Sequence, residues 1–530
     1  MKEDLFSLLC KVSSKYPKNT AIVYIGTEWN YSELLRLVEK LSSSLSRLGV
    51  EKGDRVLIYL PNSPQWIISW FAIAKLGAIS VPISPIYTPS DIEYIANDCG
   101  AKMVICLDTN FRYIYQVVDK TSIQKTIVTN IAEMLPWWKR VIGTAIDKIP
   151  KGKVAKEKNV FWFKDLIKKG QKTERTGKLN PEDLTAIFYT GGTTGMPKGV
   201  PYNHLFIYET AYWQRKLRCL IPEGEDILIQ GSPLFHSFGM AMGMSALLFG
   251  DKLILLPRVN LDALFEQIQK YKAKSLFGVP AFFKMVLDHE RVDFYDLSSL
   301  KYCCSGGDAL PSETARRWKE KFSIPLYQGY GSTETGGIAG VTMGEDPPEG
   351  SCGKVLPHQK VMFDPDGELL VSSEHMPTSY WNKPDETKRC FVVLNKKIWY
   401  KTGDIVRIDE KGWVYFVDRS SDIIKHKGYR VSCSEIETVL QSHPAVLLAC
   451  VVGVPDRSVG EKIKAFVVLR NDVKGVNAYE LIRWCKERLT YYKVPHMIEF
   501  RDMLPKSKVG KVLRKELREW ERKKISSTLH

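Results

Sequence analysis

Across residues 56–326 the chain alternates short runs rich in β-branched and aromatic residues with stretches of helical periodicity. "VLIYL", "KMVICL", "TIVT", "AIFYT", "KLILLP" and "KYCCS" read as strands, while "LDALFEQIQKYKA" and "PSETARRWKEKF" read as amphipathic helices. This alternation points to an α/β fold, with helices layered on a largely parallel sheet. The most apolar stretch, residues 56–83, is broken by Pro61, Asn62, Pro64, Gln65 and Lys75. A membrane span of about 20 residues seldom carries such a set, so the stretch reads as strand, helix and strand.

One loop in this region stands out by composition. "YTGGTTGMPKGV", residues 189–200, combines glycines, which let backbone N–H groups approach an anion, with threonine hydroxyls and one lysine. Phosphate is the guest these groups suit. Met196 and Pro197 separate Gly195 from Lys198, and Gly199 follows, so the loop is not the P-loop of nucleotide triphosphatases. Tyr189 ends an apolar run, which puts the loop at the carboxyl end of a strand, where open α/β sheets bind ligands.

At 530 residues the chain exceeds what one hydrophobic core supports, so at least two domains are expected. The formal charge of +16 suits anionic partners such as nucleotides, coenzymes or acidic lipid, but selects none of them. No motif accompanies it that would indicate nucleic acid. The 11 cysteines include no C-x-x-C pair, so neither a zinc site nor a disulfide framework is indicated, and a reducing cytosol fits. The first residues, "MKEDLFSLLCKVSSKYPKNTAIVY", read as an amphipathic helix rather than a secretory signal.

Between about residues 367 and 418 the pattern changes to close-set strands, "GELLVSS", "KKIWY", "DIVRID" and "GWVYFVD", expected to form a small β-barrel-like subdomain. Beyond it, "EIETVLQSHP", "LLACVVGVP", "KIKAFVVLR" and "AYELIRWCKERL" supply a compact α+β unit. The expected organisation is a large domain over 1–418, built of α/β layers plus the β subdomain, followed by a small, mobile lid over 419–530. Residues 134–172 interleave tryptophan and phenylalanine with many lysines, which suits a solvated surface insertion or contact with a membrane surface.

Six further loops follow in order: "SPLFHSFGM", "SGGDALP", "YGSTETGG", "YKTGDIVRID", "DRSSDIIKHKGYRVSCSEIE" and "LPKSKVGKVLRKEL". With the first loop they make the chain resemble, over nearly its whole length, the adenylate-forming superfamily. That family comprises acyl-CoA synthetases, nonribosomal-peptide adenylation domains and beetle luciferases. The resemblance implies two half-reactions. A carboxylate first attacks the α-phosphate of ATP to give an acyl-adenylate and pyrophosphate, and the thiol of coenzyme A then displaces AMP. Joining two anions in this way calls for Mg²⁺, cationic side chains and oriented backbone donors.

The resemblance assigns residues by position. Thr190, Gly191, Gly192, Thr193, Thr194, Gly195 and Lys198 are expected to hold the β- and γ-phosphates, Thr194 also reaching Mg²⁺. Gly306, Gly307 and Asp308 are expected to form one wall of the adenine pocket and Tyr330 the stacking wall. Thr333 corresponds to a phosphate-contacting hydroxyl, Glu334 to the Mg²⁺ ligand, and Asp404 to the carboxylate that grips the ribose hydroxyls. Arg419 and Arg430 correspond to ribose and phosphate contacts. Lys511 corresponds to the lysine that bridges substrate carboxylate and α-phosphate during adenylation, Ser421 to the hinge, and Gly428 to a position beside the pantetheine of coenzyme A. The basic run holding Lys506, Lys508, Arg514 and Lys515 otherwise reads as a solvated surface.

For the acid, two glycines carry the expectation. Gly191 stands where serine is commoner, as it does in fatty-acyl ligases, and Gly331 stands where acetate-activating members carry a pocket-closing tryptophan. His236 and Met240 fall at gate positions, and Gly278 lies in an apolar run over residues 276–287 that could line the acyl pocket. Medium- to long-chain fatty acids are therefore the expected substrate. Short hydroxy acids such as hydroxybutyrate, or aryl acids, would use every catalytic motif unchanged, and a non-catalytic lipid-binding protein on the same fold is a third reading. A cytoplasmic protein, peripheral to the inner membrane face through residues 134–172, is expected.

Overall fold

The computed structural model describes residues 3–145, 149–171, 179–190, 196–427, 429–456, 458–470, 473, 475–505 and 512–528. They form an α/β protein with two compact units. One unit is built from the described residues up to Thr190 with Met196–Lys360 and Val371–Tyr400. The other is built from Val361–Leu370 and the described residues from Lys401 onward.

The first unit holds two seven-stranded sheets of matching design. In one, the strands run in the order Leu326–Gln328, Tyr302–Ser305, Ser275–Gly278, Ile227–Gln230, Lys252–Leu255, Thr20–Tyr24 and Thr27–Asn30. All neighbours are parallel except the final pair. In the other, Val160–Trp162, Lys125–Thr129, Met103–Leu107, Arg55–Tyr59, Ile79–Pro82 and Leu184–Thr190 run parallel, and Lys198–Asn203 closes the edge antiparallel. Parallel strands are covered on both faces, which is why they read as continuous apolar runs instead of alternating ones.

The helix Pro64–Lys75 shows the same logic. All twelve of its residues are buried, Gln65, Ser69 and Lys75 among them, so it is covered on every side and mostly apolar. Ser63 caps its start by accepting from Trp66 N, Pro64 occupies the first turn, and Trp66 stacks on Trp70 at 5.0 Å. Strand Arg55–Tyr59, this helix and strand Ile79–Pro82 are the expected strand, helix and strand. Among the described residues no helix is long and apolar enough to cross a membrane.

Topology places the loops. Four adjacent parallel strands of the first sheet end at Gln230, Gly278, Ser305 and Gln328. The loops beginning at Ser232, Val279, Gly306 and Gly329 therefore leave neighbouring carboxyl ends, where ligands bind in such sheets.

In the second unit, strands Ile424–His426, Tyr429–Val431, Val446–Asp456, Gly460–Leu469 and Met497–Phe500 form one sheet. One core lies among Ile436, Leu440, Val451, Ala465 and Leu481, and a separate cluster joins Val452, Phe466, Leu504 and Leu517. One expectation is corrected: "KKIWY" and "DIVRID" are not separate strands but one, Lys397–Ile408. Within the strand Gly403 accommodates a left-handed φ of 72°, and its N–H donates to Glu368 Oε1 at 2.8 Å.

Candidate active site

In the first unit the strands on either side of the glycine-rich segment, Leu184–Thr190 and Lys198–Asn203, pair antiparallel. Thr190 and Lys198 face each other in register, and the Tyr94 hydroxyl donates to Pro197 O at 2.9 Å. Residues 191–195, including Thr193 and Thr194, lie outside the described residues. The returning strand, Lys198–Asn203, reaches the next loop directly, because the buried Tyr202 hydroxyl donates to Thr333 O. The Thr333 hydroxyl lies 3.2 Å from Ser237 Oγ, at the first turn of helix Ser237–Leu247. Gly306 N donates to Gly278 O at 3.0 Å, Gly329 N donates to Ser305 O at 2.8 Å, and Gly306 lies beside the Phe238 ring. Lys198, Ser237, Gly278, Gly306 and Thr333, scattered over 136 residues of chain, are thus linked by a few contacts.

Glu334 is the charged centre of this cluster. It is buried, and Tyr380 donates to its Oε1 at 2.7 Å; Tyr400 lies 3.4 Å from the Tyr380 hydroxyl. The Lys198 ammonium sits over the ring of the same Tyr380, 4.9 Å from its centroid. Burial first, and the Glu334 charge second, raise the phenols of Tyr202, Tyr380 and Tyr400 above their usual range. All three remain neutral near neutral pH, and Tyr380 gives Glu334 its hydrogen bond without cancelling its charge. Among the described residues no three His, Cys, Asp or Glu stand together as a metal cage. A single carboxylate beside hydroxyls fits Mg²⁺, which takes one or two protein carboxylates and fills its shell with water and phosphate oxygens.

The remaining residues of the first unit are less gathered. Gly307 and Asp308 are exposed, the Asp308 carboxylate accepting from Ala309 N at 3.0 Å. Tyr330 is half-buried. His236 is half-buried at the cap of helix Ser237–Leu247 with its ring against Phe235, and Met240, one turn on, is fully buried. Gly331 is exposed in the hairpin pairing Tyr330–Ser332 with Gly336–Gly340. A Cβ there would sit 2.2 Å from Gly336 O. In this hairpin a side chain at 331 would need the Gly336 carbonyl to move, so the glycine also answers a local packing demand.

In the second unit Asp404 and Arg419 face each other across the hairpin of Lys397–Ile408 with Val414–Arg419. The Asp404 side chain is 4% exposed and pairs with Arg419 Nη1 at 2.7 Å, while the guanidinium is 54% exposed and also donates to Thr402 O. Asp418, next in the chain, is buried. Its Oδ2 accepts from Ser434 N and lies 2.9 Å from Ser432 Oγ. Ser421 lies in the short turn Ser420–Asp422, and Arg430 in strand Tyr429–Val431. Gly428 and Lys511 lie outside the described residues.

The basic tail departs from its expected solvated character at Arg514. Its guanidinium is 18% exposed, grips Glu437 with two bonds of 2.8 and 2.7 Å, and also pairs with Asp422, which Arg518 joins. Sequence reasoning missed Tyr202, Tyr380, Ser237 and Arg514. Ser237 and Arg514 sit inside quoted motifs, but the two tyrosines act from 131 and 46 residues away and carry no local signal.

A family model described as "AMP-binding enzyme" matches residues 10–381, and one described as "AMP-binding enzyme C-terminal domain" matches residues 435–511. A long-chain-fatty-acid–CoA ligase of Bacillus subtilis is 33% identical over 98% of this chain and 94% of its own. One of Escherichia coli O6:H1 is 32% identical over 97% and 94%. Among solved structures, the anthranilate CoA ligase AuaEII in complex with anthranoyl-AMP superposes with a TM-score of 0.86 at 26% identity, covering 99% of this chain and 98% of that one.

Proposed function

This chain belongs to the family of AMP-binding enzymes and is an acid–CoA ligase; we propose that its acid is a medium- to long-chain fatty acid. The reaction consumes the acid, ATP and coenzyme A and yields acyl-CoA, AMP and pyrophosphate. The observation that most supports the ATP half is the arrangement of Lys198, Tyr380 and Glu334. A cation and a carboxylate are held on one neutral phenol, so a triphosphate can meet positive charge at one side and a carboxylate-bound cation at the other. Glu334 and Thr194 would hold Mg²⁺, which when bound supplies the charge neutralisation that phosphate oxygens require.

In the first step a carboxylate oxygen bonds to the α-phosphorus and the bond to the β-phosphate breaks. Thr190, the loop 191–195 and Lys198 hold the leaving pyrophosphate, Thr333 donates to phosphate, and Lys511 bridges the two anions as charge builds. Gly306, Gly307, Asp308 and Tyr330 receive adenine. Asp404 accepts from the ribose hydroxyls, with Arg419 and Arg430 at ribose and phosphate. In the second step the coenzyme A sulfur attacks the acyl carbonyl, AMP leaves and the thiol proton is released. A lid formed by residues 419–530 turns about Ser421 for this step, bringing Gly428 to the pantetheine. The Asp418 bonds to Ser434 and Ser432 span that pivot and must break, whereas the Arg514–Asp422 pair lies wholly beyond it and travels as one piece.

The fatty-acid assignment draws on the long-chain ligases that align with nearly the whole chain, and on His236, Met240 and Gly278 at pocket positions. A long-chain acid partitions into bilayers, so the same reading places the enzyme at a membrane face through residues 134–172. A second reading, an aryl acid, is favoured by the superposition on the anthranilate ligase. Pyrophosphate release across acetate, hydroxybutyrate, anthranilate, octanoate, decanoate and palmitate separates them. The expected kcat/KM rises from acetate by up to about fourfold per added methylene, each worth about 0.8 kcal/mol, and then levels into a broad optimum between octanoate and palmitate. An optimum at anthranilate or hydroxybutyrate would overturn the assignment.

A further inference from the structure

Helix Trp137–Ala145 has no buried residue. At about 100° per residue, Trp137, Val141, Ala145, Trp138 and Ile142 fall on one continuous arc of roughly 140°. The four large side chains are 70%, 58%, 48% and 53% exposed for Trp137, Val141, Trp138 and Ile142. Lys139 and Gly143, on the opposite side, are the helix's half-buried positions. Lys139 fixes the helix to the protein, its ammonium donating to Ile25 O at 2.8 Å and Thr27 Oγ1 at 3.1 Å. The turn it grips presents a further exposed apolar residue, Ile25. The amphipathic helix is therefore mounted with its polar side inward and its apolar side toward solvent, the reverse of a helix that completes a core.

Charge identifies what covers that face. Arg140 on the helix and Lys151, Lys153, Lys156 and Lys158 on the following stretch are all exposed, and Glu157 is the single acidic residue among the described residues of 137–159. The basic stretch is itself fastened to the protein, Gly152 N donating to Asp108 Oδ2 at 3.2 Å, and it begins within six residues of the end of the helix. Two tryptophans, two aliphatic side chains and a border of cations match the interface of an anionic bilayer, where indoles settle at headgroup level and lysines meet lipid phosphates.

We propose that Trp137, Trp138, Val141 and Ile142 insert into the headgroup region of an anionic membrane, with Arg140 and the lysines of 151–158 against its phosphates. The insertion would seat the first unit on the surface where a long-chain acid resides. It deepens the membrane part of the proposed function and rests on that reading only for the cargo. Vesicle binding measured without acid, ATP or coenzyme A therefore fails separately from acid selectivity.

The test is flotation of the full chain with vesicles of equal parts phosphatidylglycerol and phosphatidylcholine. The wild-type chain is expected to float with these vesicles at low salt and about tenfold less with phosphatidylcholine alone. Trp137→Ser with Trp138→Ser should lower partitioning at least tenfold while leaving pyrophosphate release from octanoate unchanged. Changing Lys151, Lys153, Lys156 and Lys158 to Gln should remove the preference for the anionic vesicles. Brominated lipid should quench tryptophan emission in the wild-type chain, a reading that needs no variant. Absence of flotation, wild-type flotation by the double variant, or a dimer that the double variant dissolves, showing that the face is covered by a second copy, would each overturn the proposal.

Discussion

Glu334 and Asp404 are both buried carboxylates at hairpins of this protein, and they are held in opposite ways. Glu334 takes its hydrogen bond from the neutral phenol of Tyr380, with Tyr400 and Tyr202 nearby, so its bonding partner brings no opposite charge. Asp404 is already paired with Arg419. The same contrast extends through the second unit, where Glu437 and Asp422 are paired with Arg514. Charge left unbalanced in the first unit is what the proposed cation site at Glu334 would use. Charge balanced in the second unit ties its elements together, and at Asp404 it would leave an acceptor for the proposed ribose contact. Burial alone does not separate these roles; the identity of the partner does.

Four substitutions test this contrast. Arg514→Met should have the largest effect, because it leaves Glu437 buried without its guanidinium. A loss of about 3–5 kcal/mol from the second unit in urea unfolding is expected. Unchanged stability would mean that Glu437 is not held by this pair. Glu334→Gln keeps size and acceptor but removes charge, so ATP–pyrophosphate exchange should fall about 10²–10³-fold with unfolding unaffected. Retention of exchange within about threefold would erase the distinction between the two carboxylates. Asp404→Asn should raise the KM for ATP about tenfold or more with kcat largely kept, consistent with a lost charge-assisted hydrogen bond of about 1.5–3 kcal/mol. A fall confined to kcat would assign Asp404 to the chemical step instead. Tyr380→Phe removes only the donor that orients Glu334, and exchange should fall about tenfold at saturating Mg²⁺. No change would show that the carboxylate is oriented by other groups.

Much of this was readable in the sequence, for reasons that differ by region. Strands such as Arg55–Tyr59 and Tyr302–Ser305 announce themselves because a sheet covered on both faces demands unbroken apolar runs. Thr333, Glu334, Asp404 and Arg419 stand in short motifs whose order along the chain carries the family. Tyr380, which makes Glu334 what it is, lies 46 residues away and looks like any core tyrosine. Arg514 is indistinguishable by pattern from the lysines around it, since its partner Glu437 lies 77 residues upstream. Gly331 carries two readings that sequence cannot separate, since its lack of a side chain also answers to the close approach of Gly336 O in the hairpin. The helix Trp137–Ala145 was visible as composition, but only its mounting by Lys139 reveals which side faces out.

The central claim is that a fatty acid is activated through an adenylate before coenzyme A takes part. Mixing the protein at high concentration with decanoate, Mg²⁺ and ATP labelled at the α-phosphate, without coenzyme A, and quenching in acid tests it directly. The account predicts a burst of decanoyl-AMP approaching one per protein with an equal amount of pyrophosphate, which added coenzyme A discharges to decanoyl-CoA and AMP. Formation of ADP and phosphate, or decanoyl-CoA appearing with no adenylate before it, would contradict the account.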